Sequence, residues 1–180
     1  MNQSKLSTKI QDSQATKRIV RKEDYLPLIV IVLVVSLSAC ADQWARGMWN
    51  SMLFMREFMA LFWLILAMLK LFDLRGFAGL FQQYDLIGKR SRIYALVYPF
   101  IELLLGLAYQ ANVLPALTNS VSLVLMVIAT IGVLLALHKK MDTSWCCLGA
   151  VLKVPLSPLA VLVDLGMAAM AGGMLLMGAA

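Results

Sequence analysis

The sequence predicts an all-α membrane protein, a bundle of about five transmembrane helices in which one leading span precedes a four-helix core. Three observations predict it. The 180 residues are 61% hydrophobic with a mean hydropathy of +0.81, too apolar for a soluble domain. The apolar residues gather into runs long enough to approach the ~20 residues that cross a bilayer. The basic residues fall in the short segments between those runs, where they set topology and form no single patch for nucleic acid.

Residues 1–24, rich in Gln, Ser, Thr and Lys, hold six basic residues and no apolar core, so they read as a cytoplasmic leader. A leading span follows within residues 25–43, its apolar run extending from Leu26 to Ala41. Ser38, Ala39, Cys40 and Ala41 supply small residues of the kind a signal peptidase accepts, but the run is long for the apolar region of a signal peptide and is read as retained. Trp44 and Trp49 in the next segment suit a headgroup-level aromatic belt.

Residues 51–180 form the expected four-helix domain. Its spans run from about Ser51 to Leu71, Ile93 to Gln110, Val121 to Leu137 and Leu159 to Met177. Between the first two, Phe77, Leu80, Phe81 and Tyr84 recur at helical spacing within Gly76 to Lys89, which predicts an amphipathic helix lying on the surface. Ala111 to Ser120 is expected to be a loop. Gly166, Ala168, Ala169, Ala171, Gly172 and Gly173 allow close backbone approach and predict a central position for the last span.

With the amino terminus inside, 14 of the 16 basic residues lie on one side, leaving Arg46 and Arg56 on or near the other. The positive-inside bias therefore puts the leader, the segment around Lys70 to Arg92 and the segment holding Lys139, Lys140 and Lys153 in the cytoplasm. The carboxyl terminus then faces outward, periplasmic in a bacterium.

Candidate chemistry concentrates between the last two spans, where Cys146 and Cys147 stand side by side. Neighbouring Cα atoms lie ~3.8 Å apart, below the ~4.4–6.8 Å usual for a disulfide, so a mixed disulfide with a partner or soft-metal binding is easier than a mutual bridge. Pro155 and Pro158 interrupt any helix there. Ionisable residues within spans usually pair or serve function. Glu102 sits near mid-depth of the third span, Asp164 on the fifth and Arg56 toward the outer half of the second; the expected arrangements are an Arg56–Glu102 ion pair or a proton or cation path using Glu102 and Asp164. Met48, Met52, Met55 and Met59, then Met167, Met170, Met174 and Met177, make two stripes suited to packing or to Cu(I). His138, beside two lysines, reads as a solvated residue. No phosphate-binding glycine loop, Ser-His-Asp arrangement or dinucleotide fingerprint is present, so no organic cofactor is indicated.

From about residue 52 onward the sequence resembles the MauE/DoxX group of redox-associated bacterial membrane proteins. The resemblance rests on Phe54-Met55-Arg56, the Lys70 to Phe77 block, Tyr84 to Ser91, Tyr98-Pro99-Phe100-Ile101-Glu102-Leu103, Cys147-Leu148-Gly149, and Leu156-Ser157 ahead of Asp164-Leu165. It implies an inner-membrane four-helix core that supports thiol-disulfide maturation of a periplasmic partner, as in methylamine utilisation, through a periplasmic or membrane redox protein. Relatives carry Cys-x-Cys-Leu-Gly at the loop; here Trp145 takes the first cysteine position, Cys147 matches the second, and Val163 stands where relatives often have an acid. The adjacent pair is also similar to the vicinal cysteines of bacterial mercury-transport membrane proteins, which makes soft-metal handling an alternative. A non-catalytic scaffold is the third reading, and whether the chain is an enzyme stays open at this stage.

Overall fold

A computed structural model of the chain describes residues 25–84, 91–139 and 158–178. These residues are helical, with no strand among them, and five of the helices are long and apolar enough to cross a membrane. We label them α1 (Leu26–Arg46), α2 (Ser51–Phe72), α3 (Leu74–Tyr84), α4 (Arg92–Ala111), α5 (Pro115–His138) and α6 (Pro158–Gly178); all but α3 are spans. The protein is a multi-pass membrane protein.

Local chemistry sets the boundaries. α1 runs to Arg46, one turn beyond the apolar run, because Asp42 and Arg46 pair at 2.5 Å across one turn and Gly47 closes the helix in the left-handed region at φ 67. Buried Gln43 accepts the Asn50 backbone N–H at 2.9 Å, and Asn50 caps α2 by accepting from the Leu53 N–H. Those two bonds fix the α1–α2 reversal. The loop expected over Ala111 to Ser120 shrinks to a tight turn: Asn112 and Leu114 both take left-handed φ, 53 and 44, and Pro115 starts α5 where its missing N–H costs nothing.

Two antiparallel pairs make the core, α2 with α4 and α5 with α6. They meet through α2–α6 and α4–α5, while α1 leans on α2. The tightest crossing is at Gly106, where a Cβ would stand 2.8 Å from Leu64 Cγ and 3.0 Å from the Leu64 backbone nitrogen. The expectation of a central last span fails on the same criterion. A Cβ on Gly166, Gly172 or Gly173 would meet nothing within 4 Å, and α6 is less buried than α2 or α5. Small residues are buried on both helices of the α5–α6 pair, Ala160 and Ala171 on α6 and Ser122, Ala129, Gly132 and Ala136 on α5.

The register of α2 on α4 explains α3. Leu64 faces Gly106 and Lys70 faces Glu102. Beyond that point two residues of α2 remain and ten of α4, so α4 overhangs by roughly eight residues, about 12 Å at 1.5 Å rise. Asp73 breaks the chain, accepts the Gly76 N–H at 2.9 Å, and starts α3 along the overhang. α3 is amphipathic and is not a span, as expected; its apolar face buries Phe77, Ala78 and Phe81, with Phe81 packed on Tyr94 and Tyr98, and Phe77 on Tyr98.

Candidate functional site

The polar centre of the bundle is built from Lys70, Glu102 and Asp164, which are 0%, 1% and 2% exposed. α2 delivers Lys70 from its last turn, α4 delivers Glu102 from mid-helix, and α6 delivers Asp164 as its seventh residue. The Lys70 ammonium donates to Glu102 Oε1. Asp164 lies near enough for the charges of both to act on it.

Aromatic rings close the remaining sides of the ammonium. Lys70 Nζ is 5.3 Å from the Phe77 ring centre and 5.0 Å from that of Tyr98, within the range where a ring face attracts a cation. α3 thus screens the ion pair from the end of the bundle. Glu102 Oε2 and Asp164 Oδ2 have no hydrogen-bond partner among the described residues. A cluster of one ammonium and two carboxyl groups in an apolar interior reaches neutrality by holding one further proton or small cation. That is the chemistry this arrangement can perform.

Arg56 is not part of the cluster, and the expected Arg56–Glu102 pair is not formed. Fourteen residues separate Arg56 from Lys70 on α2, about 21 Å along the axis, and the antiparallel register sets it against the far end of α4, beside Ala108, Tyr109 and Asn112. Lys70 is the member that sequence reasoning missed. It was counted as a face charge because it stands at the end of an apolar run; only the overhang of α4 and the cover of α3 put it inside.

The remaining candidates are dispersed. Met59, Met167 and Met174 are buried in the apolar core, whereas Met48, which precedes α2, and Met177 are exposed, so each methionine stripe is divided between core and surface. Among the described residues no three His, Cys, Asp or Glu side chains gather as a metal site. Cys40 is exposed. Cys146 and Cys147 lie outside the described residues, in the connection between α5 and α6. The ends of that connection, His138 and Pro158, are at the end of the bundle where α2 finishes and α4 begins.

A family model described as methylamine utilisation protein MauE matches residues 48–177, which takes in α2 to α6 and the Cys146–Cys147 segment. The chain belongs to the MauE family. No curated protein and no solved structure matches it. The MauE match contains the whole Lys70–Glu102–Asp164 cluster and begins after α1, so the leading span is an addition to the matched region of this MauE-family chain.

Proposed function

We propose that this MauE-family protein works in the inner membrane of a bacterium, with its amino terminus cytoplasmic and its carboxyl terminus periplasmic, in thiol-disulfide maturation of a periplasmic protein such as one used in methylamine utilisation. The observation that carries the reading is the family match through the cysteine segment. The orientation rests on the positive-inside bias, which survives removal of buried Lys70 from the count.

Cys147 is the exchanging thiol. Its thiolate attacks one sulfur of a partner disulfide, the other sulfur leaves as a thiolate, and a mixed disulfide forms; a second partner thiolate then displaces Cys147. No net oxidant is consumed. Adjacent Cys146 is poorly placed to resolve the adduct, for the Cα spacing given above. Because the bias assigns the cysteine segment to the cytoplasmic face, the immediate partner is a membrane redox protein and the periplasmic protein lies downstream. Glu102 and Asp164 supply a buried proton store within the same bundle.

Thiol trapping tests this. Acid quenching and alkylation of cells making the wild-type protein should yield a disulfide-linked adduct that is lost in Cys147→Ser and kept in Cys146→Ser. If the wild type gives no adduct, and Cys146→Ser combined with Cys147→Ser alters tolerance of Hg(II) or copper, the cysteines handle soft metal and the maturation role is wrong.

A further inference from the structure

At the end of the bundle remote from Lys70, a pocket of about 520 Å³ opens between the start of α2, the end of α4, the start of α5 and the end of α6. This is within the range of small-molecule sites. Among the described residues, Arg56 is the only acidic or basic side chain in its wall. Asp42 and Glu57 lie nearby and pair with Arg46 at 2.5 and 3.5 Å; Asp42 also acts on Arg56 through space, but no described carboxylate pairs with Arg56 in contact.

One buried polar atom in the same wall, Asn119 Oδ1 on a residue 6% exposed, has no hydrogen-bond partner among the described residues; the Tyr109 hydroxyl has Ser122 beside it. Such an atom is costly to leave unsatisfied. Arg56 attracts an anion, and Asn119 Oδ1 accepts only from a donor such as a hydroxyl. Leu53, Met174 and Leu175 give part of the wall an apolar surface.

We infer that this pocket binds a hydroxyl-bearing phosphate ester, its phosphate against Arg56 and its hydroxyl on Asn119, with the apolar part of the wall receiving whatever chain the ester carries. The site goes beyond the thiol reading and does not depend on it. The ester has two sources, a glycerol-phosphate lipid headgroup or a soluble glycerol phosphate.

Native mass spectrometry of the purified full-length protein in detergent, titrated with phosphatidylglycerol or phosphatidylcholine, tests the inference. The wild type should retain phosphatidylglycerol about tenfold more tightly, the scale of one charge-assisted contact. Arg56→Gln should abolish the preference; Arg46→Gln, at the same end but outside the pocket, should keep it. Ala116→Leu blocks the pocket without changing charge and should lose the preference as Arg56→Gln does, so the test survives poor folding of either variant. Displacement by glycerol 3-phosphate makes the soluble ester the ligand, and Arg56-dependent preference without displacement makes it the lipid; both support the site. Equal retention of the two lipids without glycerol 3-phosphate binding, or equal loss in Arg46→Gln and Arg56→Gln, overturns it.

Discussion

Removing the Lys70 charge tests the polar centre most directly. Lys70→Met removes the charge with a side chain one heavy atom shorter and leaves Glu102 and Asp164 buried without the Lys70 cation. Two unit charges ~4 Å apart interact by about 4 kcal/mol at an effective dielectric of 20, and breaking a buried pair by deleting one partner costs about 3–5 kcal/mol. We therefore expect Lys70→Met to lower the unfolding free energy by about 4 kcal/mol. Glu102→Gln should cost less, about 2 kcal/mol, because Asp164 remains to face the ammonium. The double variant Lys70→Met with Glu102→Gln should recover most of the Lys70→Met loss, since neutralising both members of the pair removes the unpaired buried charge on Glu102. The assay is reversible unfolding in mixed micelles by titration with a denaturing detergent, with the coupling taken from the double-mutant cycle. Additive losses, within about 0.5 kcal/mol, would refute the claim that the two side chains form one electrostatic unit.

Three further outcomes are expected. Gly106→Ala should destabilise by about 1–3 kcal/mol, since the new methyl group meets Leu64 at 2.8 Å and its backbone nitrogen at 3.0 Å; the same unfolding titration reads it, and Gly172→Ala, which meets nothing within 4 Å, is the matched control. Phe77→Leu should cost about 2 kcal/mol through lost ring contact with Lys70 and Tyr98, and should raise hydrogen exchange in α3 more than in α5. Leu114→Gly should be neutral or stabilising by a few tenths of a kcal/mol despite its greater chain entropy, because glycine relieves the positive φ of 44; a lower thermal midpoint would contradict this.

The spans were legible in the sequence because length and hydropathy fix them, and burial of Glu102 and Asp164 follows once they sit within such runs. Registers were not legible. Pairing Arg56 with Glu102 matched charge to charge at assumed depths, whereas the Gly106–Leu64 contact sets the depth and gives Glu102 to Lys70. The same gap hides the seat of α3: its spacing shows an amphipathic helix that is not a span, but the overhanging part of α4 on which it packs has no one-dimensional signature. Gly166, Gly172 and Gly173 misled in α6 because glycine permits close approach without requiring it, while Ala160 and Ala171 of the same helix are buried. The cysteines are a different case: their candidacy rests on residue type and family, with no described geometry to weigh.

Gly106 also fixes what can move. With Leu64 seated on it, α2 and α4 behave as one body, and the Lys70–Glu102 bond lies wholly inside that body. Asp164 rides on the other pair, so any rocking of the two halves about their seam would carry it toward or away from an ammonium that keeps its first counter-ion. The third member of the cluster therefore depends on how the two halves pack, whereas the first two are set within one of them.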